Sequence, residues 1–134
     1  MSNARIIRPQ EVPPVDRGPG IKTHPMVGPN IGATSITNGM THFEPGKGIP
    51  MHTHNVDESV TIMEGEGTFE SEGQTQVLKP FETTFVPTGV PHRFVNNGQS
   101  GLTILWCYPS SKVSRTFIES GETVEHLSER DRVT

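Results

Sequence analysis

The sequence predicts an all-β domain, built as a sandwich or a closed barrel, and three observations carry that prediction. From Ser35 onward, short runs of alternating character recur between turn residues at the spacing typical of all-β chains. Fourteen glycines and 12 prolines supply breakers while only 31% of the residues are apolar, the balance of a turn-rich β chain and not of a helical bundle. No long stretch keeps the period of an amphipathic helix. At 134 residues the chain can bury one real core and is too short for two.

The elements divide the chain into three parts. Residues 1–34 carry six prolines and little periodicity, and form an N-terminal arm. Such an arm is either a floppy terminus or an extended segment laid along a sheet edge of its own or a partner subunit. Residues 35–110 form the barrel. ITNGMTHFEPG is a strand closing at Pro45 and Gly46, and HTH at 52–54 is a short one. SVTIM and TFESE flank Glu64 to Gly67, where glycines permit a hairpin turn. TQVLK follows a turn around Gly73, and TTFV stops at Pro87. HRFVN runs into Asn97 and Gly98, a hairpin pair, and LTILWCY is the last clear strand. In residues 111–134, VSRTFI is a candidate strand returning to the barrel and ETVEHLSERD a candidate short charged helix. Its charges read as solvated surface, and no function is assigned to it.

Charge and cysteine content narrow the function. A net charge of −4 with interspersed signs offers no basic stripe for nucleic acid and no polybasic membrane patch. The first residues, MSNARIIRPQEVPP, hold arginines and prolines where a signal peptide needs an unbroken apolar run, and no long apolar run follows. The expectation is a soluble, cytoplasmic protein. Cys107 is the only cysteine, which excludes an intrachain disulfide and thiolate-rich zinc sites. A metal would have to be held by nitrogen and oxygen.

The chemistry concentrates in two stretches. In GKGIPMHTHNVDESVTIMEG, residues 46–65, strand parity lets His52 and His54 both point inward while Thr53 points out. A bend across Asn55 to Asp57 returns the Glu58 carboxylate to the same interior. In PTGVPHRFVN, residues 87–96, Pro87 and Gly89 make a tight turn, Pro91 extends Val90, and His92 begins a strand aimed by that rigid lead-in. Either stretch alone is compatible with ordinary strand histidines.

Together they resemble the paired signatures of the cupin superfamily: Gly46, His52, His54, Glu58 and Gly65 for the first, Pro87, Gly89, His92 and Asn96 for the second. The chain is thereby identified as a small single-domain cupin of the quercetinase-like, conserved-barrel type. One position departs: the glycine that usually stands six residues before the proline of the second signature is Phe81, and Lys79 and Pro80 are the candidates to supply the bend instead. The resemblance implies a jelly-roll barrel with one metal bound by His52, His54, Glu58 and His92. Three imidazoles and a carboxylate suit one divalent transition metal, Fe, Mn, Ni, Co or Zn, and octahedral coordination leaves two positions open for a ligand.

What the resemblance implies about activity is a small metal-dependent dioxygenase acting on a chelating, enol- or diol-type, modestly apolar or aromatic small molecule, with Glu58 as an additional proton shuttle. A non-redox isomerase, lyase or decarboxylase is the alternative, with Tyr108 or His42 as acid or base, and a non-catalytic ligand-binding or sensory cupin is a third reading. Few Lys or Arg residues fall at inward positions, which argues against a phosphorylated sugar. Phe69 and Phe85 are candidate lining residues, and parity leaves open which face of LTILWCY is inside. His24 and His126 read as surface residues, and His42 as either a partner of a metal ligand or solvent-facing. A homodimer is expected, with the arm as a route to it.

Overall fold

A computed structural model of the chain describes residues 4–133. Among them, β1 (Val15–Asp16), β2 (Ile21–Val27), β3 (Thr37–Phe43), β4 (His52–His54), β5 (Glu58–Glu64) and β6 (Gly67–Ser71) are followed by β7 (Gln74–Leu78), β8 (Thr83–Val86), β9 (Arg93–Val95), β10 (Leu102–Tyr108), β11 (Ser114–Phe117) and β12 (Thr123–Glu125). The only helical pieces described are two three-residue 3₁₀ turns, each with proline at its first position. No described helix is long and apolar enough to cross a membrane.

All strand pairings are antiparallel. One layer is a six-stranded sheet in the order β1-β2-β3-β10-β5-β8. The other comprises two three-stranded sheets, β12-β11-β4 and β7-β6-β9, joined by single bridges from Gly48 to Val95 and from His52 to His92. The two layers close over a common interior as a jelly-roll barrel, which removes most open edges.

Strand parity decides what fills that interior. Along β3 and β10 burial alternates residue by residue. Leu102, Ile104, Trp106 and Tyr108 are therefore the inner face of β10, and Thr103, Leu105 and Cys107 the outer. With Ile21, Phe43, Val60, Ile62, Phe69 and Phe94 they form one continuous core. Trp106 fits because its neighbour across the strand pair is Gly39; a Cβ there would lie 2.6 Å from the indole ring.

Several local expectations change in the tertiary fold. Glu64 to Gly67 does not close a hairpin, because β5 pairs with β10 and β8 while β6 pairs with β7 and β9. Gly65, at φ 80°, instead turns a corner between the layers, so close to Gly101 that a Cβ would meet its carbonyl oxygen at 2.2 Å. Asn97-Gly98 likewise joins two layers, and Asn96 organises that loop by donating to Phe43 O and Ser100 O. A turn signal reports chain reversal, and the pairing partner is set by which apolar faces must meet. Phe81 itself adopts the left-handed conformation at φ 73°, with its side chain 76% exposed, so the bend occurs at the departing residue and not upstream. Phe85 faces solvent, whereas Phe69 is in the core.

Both ends of the chain join the sheets. β2 lies along β3, with Pro25 at a register shift, where its missing N–H is tolerated. β11 pairs with β4, so VSRTFI does return to the barrel. The stretch expected as a charged helix is β12 followed by turns, and it folds inward: Asp131 is buried against the buried Arg17 and Arg115, and the His126 side chain is 6% exposed.

Candidate metal centre

Three histidines meet because three short strand segments lie side by side. His52 and His92 form a cross-strand bridge, with His52 N–H donating to His92 O at 3.1 Å and His92 N–H to His52 O at 2.9 Å. His54, two residues along β4, shares the inward face. Nitrogen atoms of the three rings all lie within 4.8 Å of one another, and all three residues are buried. Glu58 reaches the same point from β5 in the opposite layer: Oε2 is 3.3 Å from His54 Nε2 and Oε1 is 3.0 Å from His92 Nε2.

Backbone carbonyls settle which nitrogen of each ring faces the centre. His52 Nδ1 lies 2.7 Å from Pro50 O, His54 Nδ1 3.0 Å from Ser114 O, and His92 Nδ1 2.9 Å from Val90 O. A carbonyl only accepts, so each Nδ1 carries the hydrogen and each Nε2 of a neutral ring offers a lone pair inward. Burial, then the charge of Arg115 and the neighbouring histidines, holds His52 well below the ordinary histidine range. Burial also lowers His54, more than its contact with Glu58 raises it. For Glu58, burial pushes the carboxyl up, and it is held well below the usual carboxylate range only where His54 and His92 present a proton to it, a role that falls to a cation when both rings are neutral.

The consequence is a pocket of lone pairs. Glu58 Oε1 and His92 Nε2 are buried with no hydrogen-bond partner, although they sit 3.0 Å apart. A carboxylate facing unprotonated nitrogens at that distance is repulsive, and costly in a dry interior, unless a cation lies between them. The residues present therefore fit a divalent transition metal, and the three carbonyl contacts are the outer partners that orient histidine ligands.

The other nominated residues separate. Tyr108, on the inner face of β10, places its hydroxyl 3.3 Å from His54 Nε2. Burial, then the Glu58 charge, keeps its phenol protonated well above the ordinary tyrosine range. His42 lies on the outer face of β3, bonded to Thr103 Oγ1 at 3.1 Å, and does not reach the centre. His24 sits on β2 with its Nδ1 3.2 Å from Val12 O, also away from the centre.

A cavity of about 30 Å³ adjoins the centre, lined by His52, Glu58 and His92 on one side and by Arg17, Arg115 and His126 on another, with Trp106 and Tyr108 in its wall. Inward arginines and an inward His126 contradict the expectation from sequence. Arg17 precedes any regular strand periodicity, and Arg115 and His126 lie in a stretch whose charges resemble ordinary surface. The one available signal was parity in VSRTF, which sets Arg115 on the same face as Val113.

The cupin domain family (Cupin_2) matches residues 39–108. This chain is a cupin. Its barrel is similar to that of the polyketide cyclase RemF from Streptomyces resistomycificus, with a TM-score of 0.74, 19% identity, and coverage of 96% of this chain and 90% of that one. KdgF from a Halomonas species gives 0.70 at 20% identity over 80% and 94% of the two chains. A predicted oxalate decarboxylase from Thermotoga maritima gives 0.70 at 20% identity over 79% and 99%. At these identities the likeness is one of fold. A sequence search of curated proteins returns no match. The cupin's three-histidine cluster can hold a metal ion, and its matched segment contains both stretches that supply the cluster.

Proposed function

We propose that this cupin is a metal-dependent enzyme for a small chelating substrate, with His52, His54, Glu58 and His92 holding one divalent transition metal. The convergence of three inward Nε2 lone pairs on a buried carboxylate carries the reading. When bound, the metal supplies Lewis acidity toward a carbonyl or carboxylate, or, for a redox-active ion, access to oxygen chemistry.

Tyr108 favours a non-redox lyase, isomerase or decarboxylase. It is a protonated hydroxyl beside a ligand histidine, placed to donate a proton to a substrate oxygen or carbanion in the adjacent cavity. The dioxygenase reading is the second, supported by a nitrogen and oxygen donor set that would suit a redox-active ion. The cavity beside the centre is small, which favours a compact substrate. The reading includes a cytoplasmic homodimer, for which exposed Phe81 and Phe85, on and beside the outer strand β8, are suitable contacts.

The test is turnover of small hydroxy- and oxo-acids by the metal-loaded protein with and without oxygen. Equal anaerobic and aerobic rates support the non-redox reading, and oxygen uptake matching product formation supports the dioxygenase. Tyr108→Phe is expected to lower kcat by about 10²-fold while metal content stays the same. Wild-type kcat in that variant removes Tyr108 from the mechanism, and saturable binding without product leaves a ligand-binding cupin.

A further inference from the structure

The side of the cavity away from the histidines is built from cations and donors. Arg115 lies on β11 directly opposite His54 in the strand pairing, so its side chain shares the inward face with the metal centre. Its Nη1 meets Asp131 Oδ1. Arg17 reaches the same carboxylate, with Nη2 3.2 Å from Oδ1, and also donates through Nε to Asp131 O and through Nη1 to Thr23 Oγ1. Asp131 is thus shared by two buried arginines. Burial pushes Arg17 down to about 10, whereas for Arg115 the lowering by burial is outweighed, chiefly by Asp131, and the group is raised, so both stay charged at neutral pH.

Two polar side chains here carry nitrogens without partners. Arg115 Nε, in a side chain 4% exposed, has no hydrogen bond. Neither ring nitrogen of His126 has one, and the nearer stands 3.8 Å from Asp131 Oδ2. The His126 ring is fixed edge-on against Trp106 and Tyr108, with centroids 4.8 and 5.2 Å away. Both side chains line the cavity that the metal centre adjoins. Buried donors without partners are costly, and a ligand placed between them removes the cost.

Charge balance points to the ligand's sign. Two arginines against Asp131 leave one positive charge, which Glu58 balances across the cavity. A divalent cation on neutral imidazoles would leave two positive charges unbalanced in a low-dielectric interior.

Resting on the metal reading above, we propose that Arg115 and His126, with Arg17 behind them, form a carboxylate-binding subsite, so that the substrate is a compact carboxylic acid held between this subsite and the metal. Arg115 Nε–H and the one N–H of a neutral His126 imidazole are the donors to its oxygens. The small cavity favours a short-chain acid.

The test loads the full chain with Zn(II), verifies uptake by metal analysis, and titrates sodium malonate, its neutral analogue malonamide, and inorganic phosphate by calorimetry. Malonate is expected to bind at least about tenfold more tightly than either comparator. Arg115→Lys and His126→Leu are each expected to weaken malonate by about tenfold while leaving Zn(II) content unchanged. Because the His126 ring makes no hydrogen bond, His126→Leu keeps the test decisive if the Arg115 variant fails to fold. Equal affinity for malonate and malonamide, or unaltered malonate binding in His126→Leu, overturns the subsite. Tighter binding of phosphate overturns the carboxylate assignment. Failure to take up Zn(II) sinks the metal reading itself, whereas uptake with indifference to malonate sinks only this inference.

Discussion

The cavity has two polar ends, and they are opposites. At one, His52, His54, His92 and Glu58 turn lone pairs inward and leave Glu58 Oε1 and His92 Nε2 unpaired. At the other, Arg17, Arg115 and Asp131 satisfy one another through a shared carboxylate and leave two donor groups over, on Arg115 and His126. The first end is an acceptor site that needs a cation before it is electrostatically reasonable. The second is an internally paired cluster that holds without one. A buried polar group is thus informative through what it lacks: missing protons mark the end that calls for a cation, and missing acceptors the end that calls for an anion.

The ends should respond differently to perturbation. Stripping the metal with a chelator is expected to destabilise the fold by on the order of 5 kcal/mol, because metal binding is linked to folding where the ligands are otherwise unpaired. Denaturant unfolding with and without chelator reads this, and an unchanged midpoint would dissolve the contrast between the ends.

Asp131→Asn comes next. It leaves Arg17 and Arg115 without their counter-ion and is expected to cost about 3 to 5 kcal/mol, with metal stoichiometry retained in the folded fraction. A loss of metal as large as the loss of stability would show the two ends to be one cluster.

Acid gives the smallest effect. The Arg115 and Arg17 charges overcome the effect of burial and hold the Asp131 carboxyl at about 2. Because this lies below the unfolded value near 3.9, the stabilisation is fully present above about pH 4 and is lost as the pH falls toward 2. The amount is about 2 kcal/mol. The pH dependence of unfolding in wild type and Asp131→Asn, both metal-free, measures it: the wild-type curve should slope in that window and the variant's should be flatter.

The three-histidine cluster was legible in the sequence for a local reason. His52 and His54 share one short strand, and His92 follows a proline-fixed lead-in, so their directions follow from parity and backbone restriction. Glu58 required one bend between adjacent strands. Tyr108 was visible as a candidate, and choosing the inner face of β10 required the pairing with β3 and β5. The anion end was not legible. Arg17, Arg115, His126 and Asp131 come from opposite ends of the chain, and nothing within their own segments distinguishes them from solvated charges.

By itself, the sequence determined the strands from Thr37 to Tyr108, the convergence of His52, His54 and His92, and the family, because alternation, turn residues and ligand spacing act over a few residues. Only the tertiary structure decided that the Gly65 and Asn97-Gly98 turns cross between layers, that Phe81 takes the left-handed bend, and that both chain ends bring arginines into the barrel. Those outcomes depend on which distant surfaces pack together, and burial of a charge is settled by the counter-charge that arrives from elsewhere in the chain.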